Sequence, residues 1–394
     1  MPEEIQVPQA DAAAGSCAPQ AAGMTPEQLA EAKEYGRLGL IGMLADMGLD
    51  LAYLAVAAVL LARPIDAWLA DRRIGHLWSV RLALLFLVLF AIHVAVSLPL
   101  SFWRGYLLEH RFHLSKLSVG GWAWRYIKQL LLAVGFGLVL YLGLYWVIWT
   151  THGWWWLLAA LGAFLVSVVL ARILPVLIPP IFYKSEPLDS PELAERIGRR
   201  ASEGGLHVEG VYRLKLSDET TKANAMLAGL GRTRRVLLGD TLLDRFTPEE
   251  IEIVFAHEVG HHVFRHIRKM LLADILLSAA GFWVCDRLLV AWLSALGQWH
   301  GYGRLPVWTL PMVQLTLMVF GLLLGPIMAA VSRRHERQCD RYALERTGLR
   351  AAYLSAFRKL AQCNKDNPCP PRLEVLLFHD HPPIAERLAM GEGA

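Results

Sequence analysis

The sequence predicts a predominantly α-helical protein that crosses a membrane several times, and three observations carry that reading. Of its 394 residues 55% are apolar and 19% charged, against about 25% charged in soluble domains, and mean hydropathy is +0.37. A soluble chain of this length needs more charged surface, so several segments must have lipid as their solvent. Six apolar stretches approach or exceed the length that crosses about 30 Å of hydrocarbon. Two polar blocks, 183–267 and 332–394, hold side chains at metal-ligand spacing. The same composition excludes a disordered, collagen-like or disulfide-scaffold chain. A net charge of +4 suits the basic loops of a membrane protein rather than a nucleic-acid groove, so no nucleic acid is expected as a partner.

Residues 1–36 are rich in Ala, Pro, Gln and Glu and lack the basic start and apolar run of a signal peptide, so a disordered polar tail is expected. Spans at about 38–62, 79–103, 129–150 and 154–180 make a four-span region over 37–182. Spans at about 270–295 and 306–331 make a two-span region over 268–331. Trp103, Trp146, Trp149, Trp154–Trp156 and Trp308 lie near their ends, as an aromatic belt would. Asp46, Asp50, Asp274, Asp286 and Arg287 interrupt the first and fifth spans. Charge in hydrocarbon is costly, so these residues are expected to face a protein interior or a watery cavity, or, for Asp46 and Asp274, to sit at frayed ends.

Two spans separate the polar blocks, so both blocks emerge on one side of the membrane. Linker 104–128 is on that side and carries Arg104, Arg111, Lys116, Arg125 and Lys128 against Glu109 alone, which places the side in the cytoplasm. Five cysteines (Cys17, Cys285, Cys339, Cys363 and Cys369) are odd in number and lack metal-site pairing, and they read as reduced thiols.

The first polar block ends in a helix start. Thr247 as N-cap, Pro248 at the first helical position and Glu250 three residues after the cap form a capping box. The helix it opens carries His257-Glu258-Val259-Gly260-His261-His262. His257 and His261 are four apart, so both imidazoles leave one face and can hold one zinc ion. Glu258, one step around the helix, can reach a water on that ion as general base. Hydrolytic zinc sites use a third protein ligand, and the segment Ser332–Ala343 offers candidates. Glu336 and Asp340 share a helix face, Glu336 as ligand and Asp340 as acceptor of a ligating histidine's free ring N–H. On spacing alone His335 and Cys339 are rival ligands, and an ordinary charged juxtamembrane helix reads equally well. His262 and His266 form another four-residue pair that faces away from His257.

Further motifs surround this one. They are Leu98-Pro99 with Glu109-His110-Arg111-Phe112, Pro175–Phe182 with Pro187-Leu188, and Thr220–Met226 with Gly229-Leu230-Gly231 and Gly239–Leu243. Near the end stand His381-Pro382-Pro383 and Glu386-Arg387-Leu388. From about residue 98 to 390 the chain resembles the type I CAAX prenyl endopeptidases, integral-membrane zinc metallopeptidases with an HExxH motif. The resemblance implies a zincin-like site with a small β-hairpin or sheet element, one zinc ion on His257, His261 and Glu336, and Glu258 activating the water. It implies Asp340 as orienting partner or proton donor, and Asn224 and Ala225 on an edge strand that pairs with the substrate backbone. It also implies His381 as donor to the oxyanion, with Arg387 orienting the C-terminal segment or the substrate carboxylate. By residue type alone Asn224 reads as a turn residue and His381-Pro382-Pro383 as a loop. Eukaryotic members of that family have seven spans around a water-filled chamber, whereas six are counted here.

The expected function is that of a membrane-embedded zinc endopeptidase. It would cleave near the C-terminus of CAAX-type peptide or protein substrates, prenylated or not. A membrane quality-control protease sharing the zinc site is the alternative. A metal transporter is less favoured, because 248–266 is too polar to cross lipid. The final Gly391-Glu392-Gly393-Ala394 is no ER-retention signal, so a bacterial inner membrane is expected, with the site facing the cytoplasm.

Overall fold

A computed structural model describes residues 23–72, 76–228 and 234–393, with backbone alone for 171–182. All six apolar stretches lie in or against long helices: Pro26–Ala70, Trp78–Arg111, Val119–Thr151, Trp155–Phe182, His266–Ala295 and Leu310–Thr347. Among the described residues five continuous runs are long and apolar enough to cross a membrane. The run 119–170 breaks at His152, where a φ of 51° and one 3₁₀ turn divide it into two helices packed on each other.

The first helix begins at Pro26 and takes up the last eleven residues of the expected polar tail, 26–36. Thr25 Oγ1 accepts from Gln28 N at 3.2 Å, the Gln28 side chain returns a 2.9 Å bond to Thr25 N, and Pro26 opens the helix. A capping box starts a helix in polar sequence as readily as in apolar sequence, and hydrophobic runs do not reveal it. Residues 1–22 of that tail, and Gly229-Leu230-Gly231, lie outside the described residues.

All but one of the acidic residues noted inside the spans find protein partners. Asp46 accepts from Arg104 at 2.5 Å, Asp50 lies 2.7 Å from His93 Nε2, and Asp286 accepts from Trp155 Nε1 at 2.7 Å and from Arg287. Asp50, His93 and Gln314 border a largely apolar cavity of about 780 Å³ within the membrane region, lined also by Phe86, Tyr141 and Leu317. Asp274 Oδ2 is buried without a hydrogen-bond partner among the described residues.

Between the fourth and fifth spans the chain forms a four-stranded sheet of β1 (Ser185–Pro187), β2 (Gly210–Leu214), β3 (Ala225–Ala228) and β4 (Arg235–Gly239). Its order is β1-β2-β4-β3, with β2 and β4 parallel and the outer pairs antiparallel. Among the described residues β3 is therefore an edge, paired on one side only. The helix Pro191–Glu203 buries Leu193, Ile197 and Ala201 against the helix Pro248–Val263, and Arg200 Nε reaches the buried Glu252 at 2.6 Å. The basic linker is tied to this block, with Lys116 N donating to Glu219 O and Thr221 N to Leu114 O. Linker and block thus share a side.

The sixth span does not stop where hydropathy falls. Leu310–Thr347 is one helix of 38 residues, so the segment with Glu336 and Asp340 is the rigid continuation of a membrane helix. The reading of five reduced thiols holds for Cys285, Cys339 and Cys363, but Cys369 is disulfide-bonded. Pairing follows from proximity in space, which cysteine spacing along the chain does not report.

Candidate metal centre

The helix Pro248–Val263 starts as its sequence dictates. Thr247 Oγ1 accepts from Glu250 N, and Glu250 Oε2 accepts from Thr247 N at 2.8 Å and from Lys359 Nζ at 2.7 Å. The helix packs along Leu310–Thr347, and Gly260 is one point of close approach. A Cβ there would lie 3.1 Å from Cys339 Cα and 3.2 Å from its Sγ. Only a glycine lets the two backbones approach so closely, and the approach brings Glu336 and Asp340 to the two histidines.

Three candidate ligand side chains converge. His257 Nε2 is 3.2 Å from Glu336 Oε2, His261 Nε2 is 3.2 Å from Glu336 Oε1, and the two Nε2 atoms are 3.3 Å apart. Zinc bonds of about 2.0–2.2 Å in tetrahedral geometry require ligand separations of about 3.4 Å, so the triangle fits one zinc ion. Glu336 Oε2 is buried without a hydrogen-bond donor among the described residues, the state of an oxygen awaiting a cation. Burial opposes positive charge on His257, yet the Asp340 and Glu336 carboxylates outweigh it and hold the imidazole pKa up to about 9. The site is thus built to stabilise positive charge. Cys339 forms a wider trio with His257 and His261, all within 4.8 Å, but Glu336 closes the tighter triangle. The other rival, His335, is stacked on His266 with ring centroids 3.9 Å apart.

Behind His257 lies a buried pair. Asp340, fully buried, takes His257 Nδ1 at 2.9 Å, and Arg387 donates to both its oxygens, Nε to Oδ2 at 2.9 Å and Nη2 to Oδ1 at 2.5 Å. Asp340 thus contacts His257 on the side away from Glu336, with Arg387 on both of its oxygens. Arg387 borders the cleft, but its Nε and Nη2 are engaged by Asp340. It links the C-terminal helix Ile384–Gly393 to Asp340.

On the open side is a cleft of about 640 Å³ that brings together Glu258, Asn224, Ala225 and His381 with two of the three candidate ligands, His257 and Glu336. Asn224 stands immediately before β3, its carbonyl accepting from Gly239 N at 2.9 Å, and Ala225 begins the edge strand. His381 Nε2 lies 3.4 Å from Glu336 Oε2, and its Nδ1 is 2.8 Å from Asp380 Oδ1. The Asp380 carboxylate, ahead of the opposing effect of burial, holds the His381 pKa above the ordinary histidine value.

Sequence reasoning missed three contributions to this site: a residue beside His381, a pair on the first helix and a residue beyond the HExxH helix. Asp380, adjacent to His381, was open to a reading of neighbouring charges. Tyr35 and Gly36 of the first helix line the cleft, and Tyr35 OH bonds Glu109 Oε1 at 2.6 Å and accepts from Lys222 Nζ at 2.9 Å; no local signal marks them. The third is His266. The helix of the HExxH motif ends at Val263, Arg265 takes a left-handed φ of 55°, and His266 opens the next helix. The four-residue spacing to His262 therefore does not describe one helix face.

Comparisons with known proteins give the family of the chain. Residues 187–392 match the family model of peptidase family M48, and 17–184 match the model described as CAAX prenyl protease N-terminal, five membrane helices. The described part of that region holds four long helices. An uncharacterized metalloprotease of Bacillus subtilis, YhfN, is 30% identical over 97% of this chain and 89% of its own. CAAX prenyl protease 1 of Saccharomyces cerevisiae is 30% identical over 76% of this chain and 70% of its own. The crystal structure of Ste24p from S. mikatae has a TM-score of 0.78 at 23% identity, covering 94% of this chain and 90% of that one, and so shares the fold. With an HExxH helix, a third acidic ligand candidate and several membrane helices in one chain, this protein belongs to peptidase family M48 and is a multi-pass membrane metalloendopeptidase related to the CAAX prenyl proteases.

Proposed function

We propose that the protein is a zinc endopeptidase that cuts an extended peptide laid in the cleft between β3 and the HExxH helix. The tight triangle of His257 Nε2, His261 Nε2 and Glu336 carries the reading. Bound zinc would supply Lewis-acid polarisation of the scissile carbonyl and acidify a water. Glu258 borders the same cleft and takes the proton of the attacking water. Asp340 holds His257 in the tautomer that presents Nε2 to the metal, and Arg387 balances the Asp340 charge. The substrate backbone pairs with the free edge at Asn224 and Ala225, a β-augmentation mode. His381 donates Nε2–H to the developing oxyanion, its Nδ1–H being held by Asp380.

The relatives named CAAX prenyl protease support a substrate cut near its C-terminus, prenylated or not. The backbone-reading edge equally favours a quality-control protease that accepts unfolded segments. The basic linker, hydrogen-bonded to the sheet block, supports a cleft facing the cytoplasm. The Bacillus relative, which matches nearly the whole chain, supports a bacterial inner membrane.

Glu258→Gln tests the mechanism, because it keeps the ligands and removes the base. Zinc content should stay near one per chain while cleavage of a C-terminal peptide falls to background. Retained cleavage would remove Glu258 from the reaction. Farnesylated and unmodified versions of the peptide, compared on the wild-type enzyme, separate the two substrate classes.

A further inference from the structure

His266 is buried, with 2% of its surface exposed, and the proposed reaction makes no use of it. The left-handed turn at Arg265 folds it back onto His261, with ring centroids 5.2 Å apart and the two Nδ1 atoms 3.2 Å apart. Its other nitrogen, Nε2, is 3.1 Å from Gln338 Oε1, two residues beyond Glu336 on the same helix. His335 stacks on its ring, and the Cys339 thiol approaches Nδ1 at 3.6 Å.

Two facing Nδ1 atoms can bond only if one carries the proton and the other does not. Gln338 Oε1 is an acceptor, so His266 places its proton on Nε2 and leaves Nδ1 as a lone pair. His261 must then donate from Nδ1, which frees its Nε2 lone pair toward His257 Nε2 and Glu336. The opposite arrangement would put a proton on His261 Nε2 and close it to metal. We propose that His266, set by Gln338, is the positioning residue that holds His261 in its metal-ready tautomer, as Asp340 does for His257. The proposal rests on His261 being a zinc ligand through Nε2. Because Gln338 and Glu336 share a helix, it also makes the orientation of one ligand depend on the placement of another.

The experiment measures zinc dissociation constants by chelator competition on the purified full-length protein, together with the absorption spectrum of its cobalt-substituted form. His266→Phe keeps the ring stack and removes both nitrogens, and it should weaken zinc binding about 10–100-fold, the usual effect of losing such a partner. Gln338→Leu should act in the same direction more weakly, and both variants should alter the cobalt spectrum. His266→Asn, whose amide oxygen can accept from His261, should recover part of the affinity, which a packing role would not produce. Should His266→Phe fail to fold, Gln338→Leu and His266→Asn decide. Wild-type affinity in His266→Phe and Gln338→Leu would overturn the proposal. So would two zinc equivalents in the wild type falling to one in His266→Phe, since His266 would then be a ligand. His261→Ala separates the underlying reading: undiminished zinc binding there would show that His261 is not a ligand at all.

Discussion

Gly260→Ala sets two effects against each other. In an isolated helix the change gains about 1 kcal/mol, because glycine is the poorer helix former. Here the new Cβ would meet Cys339 Cα at 3.1 Å, Sγ at 3.2 Å and Cβ at 3.3 Å, shorter than ordinary van der Waals contact. The obstacle is the backbone of a 38-residue helix, with Cys339 itself fully buried, so no flexible side chain can move aside. Overpacking of this kind costs about 1–3 kcal/mol, enough to cancel or outweigh the propensity gain. The helices must part by a few tenths of an ångström, and Glu336, one turn from Cys339, moves with its helix away from His257 and His261. Zinc sites tolerate about 0.2 Å in their bonds, so zinc affinity should fall about tenfold, or about 1.4 kcal/mol, while the metal-free protein melts at or below the wild-type temperature. Chelator competition and thermal unfolding in detergent measure the two quantities. Gly198→Ala is the control, since nothing lies within 4 Å of a Cβ there; it should stabilise slightly and leave zinc untouched. Wild-type zinc affinity with a raised melting temperature in Gly260→Ala would refute the claim that this contact sets the ligand triangle.

Other outcomes follow from the same geometry. Glu336→Ala should remove most bound zinc, whereas His335→Ala and Cys339→Ser should retain it; metal analysis of the purified variants checks this. Asp340→Ala should lie between, with a loss of about 10–100-fold in affinity or activity. His381 can donate from Nε2 only as the imidazolium, because Asp380 holds its Nδ1–H. Activity should therefore fall as pH rises through the His381 pKa, which Asp380 holds up, and Asp380→Ala should move that alkaline limb to lower pH in a kcat/KM profile. A variant whose only cysteine is Cys363, a free and half-buried thiol of the catalytic region, should resist an impermeant maleimide in intact cells and react after permeabilisation. Labelling of intact cells would invert the topology.

Features decided within one helix turn were legible in the sequence. The capping box at Thr247 and the pairing of His257 with His261 depend on residues three and four apart, and both are present. The third ligand was not fixed by spacing, because Glu336, His335 and Cys339 lie within four residues of one another. Their separation depends on where Gly260 meets the neighbouring helix, 79 positions along the chain. The early start of the first helix was signalled by Thr25, Pro26 and Gln28, but hydropathy is blind to a cap in polar sequence. The order β1-β2-β4-β3 is a long-range fact without a local signature. The left-handed residue at Arg265 broke a periodicity that the spacing of histidines had suggested.

The open edge of β3 has a kinetic meaning. A substrate read through its own N–H and C=O groups must offer a bare strand, four residues long or about 13 Å if matched to β3. Side-chain identity then matters little along that stretch, but a proline would forfeit a main-chain donor and should be passed over. A segment still engaged in its own helix or sheet must first open. Each 1.4 kcal/mol of local stability in the target lowers the cleavable fraction about tenfold. Turnover by such an enzyme samples the frayed population of its clients, so that a well-folded tail is spared by its thermodynamics rather than by its sequence.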